Sequence, residues 1–122
     1  MFRRNDVGKE GNIDHIIDDN RNRFPMVYIG KDSQELRLVL RGAIEDAKRR
    51  AKRNYKTAVP QFFEGRIQHL LPLCLQQRNR ADLALVVGRT GDVYLARTVL
   101  PLDWAYNNAR LIARPDNEWL VP

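Results

Sequence analysis

The apolar positions of the chain change period twice, near residue 55 and again near residue 102, and those changes divide the predicted elements. Upstream, Ile13, Ile16 and Ile17 follow Asn12 at helical spacing, which predicts a short helix with Asn12 as N-cap that takes in Asp18 and Asp19 and ends before Phe24-Pro25. Asp32 with Glu35 three residues later has the form of a capping box. Leu36, Leu40, Ala43, Ala47 and Ala51 then recur on one face, widened by Val39 and Ile44, and predict a helix from Ser33 to about Asn54. Gly42 is its one weak interior residue, at a cost of about 1 kcal/mol relative to Ala. Downstream the period shortens. Thr57 to Phe63 and Arg66 to Leu71 are expected strands joined at Glu64-Gly65, and Pro60 and Pro72 must lie at an edge or a bulge because neither can donate to a ladder. Leu83 to Val87 is a continuous apolar run, as a strand covered on both sides requires, and Val93 to Leu100 alternates, with Gly88 to Asp92 expected as the hairpin loop. Helical spacing returns from Leu102 to Ala113 and stops at Arg114-Pro115.

The expected fold class is therefore α+β: a long amphipathic helix packed on a four-stranded, mainly antiparallel sheet, with a closing carboxyl-terminal helix. Residues 1–122 are expected as a single unit, in which 1–32 form a short helix and connector and 33–122 form the helix, sheet and helix core.

Composition changes this picture little and narrows the chemistry. With 43% hydrophobic and 30% charged residues the chain has the makeup of a folded domain. The single cysteine, Cys74, excludes an internal disulfide, and no clustered Cys/His set suggests a metal. The amino terminus has no apolar signal-peptide core, and no stretch is long enough to span a bilayer, so the expected location is cytoplasmic with no membrane partner. No cofactor is implied: a Gly-rich phosphate loop, a Walker lysine, a His-Glu-x-x-His motif and a nucleophile elbow are all absent from the sequence.

Charge adds a location. Of the net charge of +6, residues 1–56 hold fourteen Lys+Arg against nine Asp+Glu, and within them Lys48, Arg49, Arg50, Lys52, Arg53 and Lys56 crowd the end of the long helix. Lys48, Lys52 and Lys56 at i, i+4 and i+8 suit a ladder of phosphate contacts, with Tyr55 as a ring on which a base can stack. The same residues also suit a solvated helix face that complements the macrodipole. On the last helix Asp103, Asn107, Arg110 and Arg114 share a stripe beside Tyr106, and Asn108 is expected as a buried amide in need of a partner; Asp103 also serves as an N-cap before Trp104. Arg97 shares the strand face of Val93, Leu95 and Val99, so if that face is core it must meet a carboxylate such as Asp82 or reach a ligand. His15 and His69 carry no sign of pairing, and Cys74 between leucines is expected as a small core hydrophobe.

Several strings taken together resemble a known family. Asn12-Ile13-Asp14-His15-Ile16-Ile17, the segment Asn54-Tyr55-Lys56-Thr57-Ala58-Val59-Pro60-Gln61, the segment Leu70-Leu71-Pro72-Leu73-Cys74-Leu75, and Leu102-Asp103 followed by Ala105-Tyr106-Asn107-Asn108-Ala109-Arg110-Leu111 are similar to the NYKTAVPQ, LLPLCL and LDxAYNNARL signature of functionally uncharacterised conserved domains of bacteria and fungi. The resemblance implies that these segments form the carboxyl-terminal half of a longer family domain, with an amino-terminal part either missing or encoded separately and supplied by a partner chain. It also implies an RNA-related role, since the family's domains stand beside cold-shock and LOTUS-type helix-turn-helix modules. His69, Pro101 and Trp104 depart from the family pattern. Two residue groups match it: Asn54, Tyr55, Lys56, Thr57 and Gln61, and Asp103, Tyr106, Asn107, Asn108 and Arg110.

Three readings of function remain open. In the first, Lys48, Arg49, Lys52, Arg53, Tyr55, Lys56 and Gln61 bind RNA or another polyanion. The second is a metal-independent nuclease or nucleotide-processing enzyme with Asp103 and Tyr106 as acid or base candidates and Arg110, with Lys56, on phosphate charge, which requires the two matched groups to share a cleft. The third is a protein-interaction or assembly module, which requires an uncovered apolar surface.

Overall fold

The computed structural model of the chain describes residues 10–30, 32–63, 65–77, 79–90, 93–110 and 119–120. Helix α1 spans Glu10–Asn20 and buries Ile13, Ile16 and Ile17. It begins before Asn12, which lies inside the helix and is not its cap. At its other end the Asn20 amide turns back to donate to the Ile16 carbonyl at 2.9 Å. The connector is more ordered than a loop: one 3-10 turn, Arg21–Arg23, leads to the single-turn helix α2, Met26–Ile29. Tyr28 of α2 donates its hydroxyl to the Leu75 carbonyl at 3.0 Å, tying the connector to the segment that follows the second strand.

Helix α3, Ser33–Arg53, follows the apolar pattern closely, burying Leu36, Leu40, Ala43, Ile44, Ala47 and Ala51. Asp32 caps it by accepting from Gln34 N at 3.2 Å. An Arg37–Asp14 ion pair at 2.8 Å fixes α3 to α1.

Strands β1 (Val59–Phe63), β2 (Arg66–Leu73), β3 (Leu83–Thr90) and β4 (Val93–Pro101) form an antiparallel sheet in chain order, and α4 (Leu102–Ala109) follows directly. Gly65, at φ 74°, makes the β1–β2 turn, where its missing Cβ removes the penalty for that conformation. Both prolines sit where a ladder donor is not required: Pro60 is in edge strand β1, and Pro72 lies past Leu70, the last β2 residue paired with β1. Gly88 belongs to β3 and not to a loop, so the β3–β4 hairpin is tighter than its sequence suggests. Helix α4 is also shorter than the pattern; Leu111, Ile112 and Arg114 lie outside the described residues.

The sheet is covered on both faces. Leu71, Leu73, Leu83, Leu85, Val87, Ala96 and Val99 meet α1 and α3 on one side. On the other, Val59, Leu70, Ala84, Val86 and Leu100 meet Ala105 and Ala109 of α4, with Leu120 closing the layer. The continuous apolar run of β3 is the consequence of this double cover. Asp82 shapes the long β2–β3 connection, accepting from Leu75 N at 2.8 Å and Gln76 N at 3.2 Å. It is therefore engaged in holding that loop.

His69 stands opposite Pro60 and Val87, half-buried on the α3 side. Burial pushes its imidazole below the usual value near 6.5. The unfolded chain thus takes up the proton first as pH falls, so this residue's contribution is complete above about pH 6.5 and is lost progressively below it, down to the lowered folded value. We expect His69→Leu to gain stability relative to the parent chain between pH 7.5 and 5.5 in urea unfolding; a constant difference across that range would refute the assignment.

Candidate nucleic-acid interface

The basic end of α3 forms a groove of about 880 Å³ lined by Asp46, Arg49, Arg50, Lys52, Arg53 and Asn79, the last contributed by the β2–β3 connection. Its charges are not equivalent. Arg50 is held by Asp46, Nε to Oδ2 at 2.9 Å, and Lys48 is only 3% exposed, with its ammonium 3.3 Å from Glu45. Lys48 therefore belongs to the packed side of the helix and not to a phosphate ladder. Arg49, Lys52 and Arg53 are exposed at the groove.

The ladder is also broken at its other end, because the helix stops at Arg53 and Lys56 rides a separate 3-10 turn, Tyr55–Thr57. Asn54 makes that break. Its N–H still donates to Arg50 O at 2.9 Å, while its side-chain oxygen accepts from Lys56 N at 3.1 Å and its carbonyl accepts from Thr57 N at 2.9 Å. Lys56 is exposed; the Tyr55 side chain lies outside what is described.

The two sequence groups that match the family pattern do meet, through amides. Gln61 of β1 is fully buried and accepts from Asn108 of α4 at 3.3 Å. Gln61 is thus a link between β1 and α4, and it cannot reach a nucleic acid. It faces Gln68 directly in register; Gln61 Nε2 and Gln68 Oε1, a donor and an acceptor, are both buried without a partner. Thr57 contributes its carbonyl to the Trp119 indole at 3.0 Å. These contacts explain Asn54, Thr57, Gln61 and Asn108 as parts that hold strand, turn and helix together.

The catalytic candidates are arranged differently. Asp103 is in the first turn of α4 but does not cap it; the capping position is Pro101, and no side chain bonds there. Asp103, Asn107 and Arg110 are exposed and Tyr106 is half-buried against the α4 core. None of Asp103, Tyr106, Arg110 and Lys56 lines the groove at the end of α3. Trp104 is 50% exposed, and the Arg23 guanidinium lies over its ring, 5.0 Å from the centroid. Cys74 is half-buried, and burial, the largest influence, pushes its thiol up, so it has little thiolate character.

A second basic cavity, of about 620 Å³, was not foreseen. Asp19, Asn20, Arg23, Arg66, Gln68, Arg97 and Thr98 line it. Arg97 enters through an irregularity of β4: Val87 pairs with Ala96 and Val86 with Thr98, leaving Arg97 as the extra residue of a bulge. Beyond the bulge the alternation is reset, so Ala96 and Val99 share the α1/α3 face while Arg97 is exposed and lies across Gly88. The expectation that Arg97 shares a core face with Val99 is corrected by that one residue.

The chain belongs to a family described as a domain of unknown function (DUF3825), whose model matches residues 3–119. Searches of curated proteins and of solved structures found no match. Among the described residues, no helix is long and apolar enough to cross a membrane.

Proposed function

We propose that this domain binds RNA or another polyanion through the carboxyl-terminal end of α3. The observation that carries the reading is the groove at that end, where Arg49, Lys52 and Arg53 are exposed together and Asn79 of the β2–β3 connection joins the lining. Lys52 and Arg53 lie in the last turn of α3 and also complement its macrodipole, whereas Arg49 lies before that turn and adds charge the dipole does not call for. Lys56, exposed just beyond the helix, extends the same surface. Three phosphate contacts on a single strand imply a slope of about −2 in log affinity against log salt. Fluorescence anisotropy with single-stranded RNA between 50 and 200 mM salt measures it; binding that is flat across this range sinks the proposal.

A second reading, an assembly module, draws support from the apolar surface. Phe62 and Ile67 are cross-strand partners at the β1–β2 end and are 48% and 64% exposed. Met26 and Val27 of α2 are exposed as well. A partner chain supplying an amino-terminal half would cover such residues, and sedimentation at rising concentration, alone and with that partner, tests the idea.

A further inference from the structure

We infer that the second basic cavity is a binding site for a phosphate monoester, borne either by a free nucleotide or by the end of a nucleic-acid chain. Three guanidinium groups reach it from separate parts of the sequence: Arg23 from the turn after α1, Arg66 from the start of β2 and Arg97 from the β4 bulge. Guanidinium groups do not deprotonate in proteins, so the cluster cannot shed its charge by titration. Among the described lining residues the one carboxylate is Asp19, which is 62% exposed and also lies 3.7 Å from His15. The lining therefore favours an anionic ligand.

The fold also spends structure on holding these groups in place. Arg23 donates to the Val99 carbonyl of edge strand β4 at 2.8 Å and stacks on Trp104, which fixes the plane of its guanidinium. Arg97 is brought over Gly88 by the bulge, and a Cβ at Gly88 would stand 2.8 Å from Arg97 Nε and 3.3 Å from its Cγ. A side chain at position 88 would oblige the Arg97 side chain to shift from this path. The bulge, the glycine and the anchored Arg23 together preorganise positive charge, and that lowers the ordering cost of binding.

The chemistry of the ligand follows from the lining. Three guanidinium groups match the three terminal oxygens of a phosphate monoester better than the two of a carboxylate. A cavity of about 620 Å³ is far larger than a phosphate group and falls in the range of small-molecule pockets, roughly 300–1,000 Å³. Asn20, Gln68 and Thr98 supply polar side chains suited to sugar hydroxyls, and among the described residues no aliphatic side chain lines the cavity to suit a lipid tail. This cavity shares no lining residue with the groove at the end of α3.

The test is the ratio of affinities for ligands that differ only in the phosphate. AMP is compared with adenosine by calorimetry, and an RNA oligonucleotide with a 5′- or 3′-phosphate is compared with its hydroxyl-ended twin by anisotropy. Contacts of the RNA backbone along α3 contribute equally to both twins, so the ratio reports the cavity while the salt slope reports the helix end. A preference of at least tenfold is expected in one or both arms, reduced about tenfold by Arg66→Met or Arg97→Met and several-fold by Gly88→Ala, all with unchanged circular dichroism. A response in the AMP arm alone assigns the site to a nucleotide, and one in the oligonucleotide arm alone to a chain end. No preference in the parent chain, or a preference that survives both arginine substitutions, overturns the inference.

Discussion

Reversing charge at Lys52 and Arg53 together is expected to weaken RNA binding by about 100-fold at 50 mM salt, since it removes two phosphate contacts and sets two carboxylates against the backbone they served. The loss should shrink as salt rises, because screening weakens both the lost attraction and the new repulsion. The informative control is Arg41→Glu against Lys52→Glu alone. Arg41 is exposed on the same helix but does not line the groove. Each substitution changes net charge equally. If binding depends on the groove, Lys52→Glu costs about tenfold and Arg41→Glu under threefold; equal losses would mean that the net positive charge of the chain attracts RNA without a defined site.

The sequence was most legible where one residue's fate depends on its neighbours at fixed spacing. Helix α3 is such a case: Leu36, Leu40, Ala43, Ile44, Ala47 and Ala51 are all buried, and Asp32 caps the helix as its position demands. Lys48 shows the limit of the same reasoning. It falls one residue from Ala47 on the edge of the buried face, and charge alone suggested a solvent position that packing takes away. Gln61 shares a motif with Tyr55 and Lys56, yet strand β1 turns it under α4. The arginine cavity was the least accessible feature, since Arg23, Arg66 and Arg97 are brought together only by the antiparallel meander and the crossing of the β4 edge. Its one signal in the sequence was paired: a glycine ending the apolar run of β3 and an arginine interrupting the alternation of β4. Each looked like a local defect, and the bulge makes them neighbours.

Leu85→Ala is expected to be the most destabilising of the changes considered, by about 2–5 kcal/mol, and to lower the thermal midpoint by about 8–20 °C. Leu85 is fully buried in β3, between Leu71 of β2 and Val99 of β4, beneath the α1 and α3 layer. A cavity there has rigid walls on every side, and collapse to fill it would have to move a helix or a strand. Ile67→Ala removes a comparable apolar group from β2 but at 64% exposure, and in the isolated chain it should change stability by less than about 0.5 kcal/mol. The two substitutions separate structure from interaction. Exposed Ile67 and Phe62 gain nothing from solvent, so if a partner covers them, Ile67→Ala will leave the midpoint of the isolated chain unaltered and weaken association, whereas Leu85→Ala will lower the midpoint with or without the partner. An Ile67→Ala chain that associates as strongly as the parent would remove this face from the assembly reading and leave the two basic sites to account for binding.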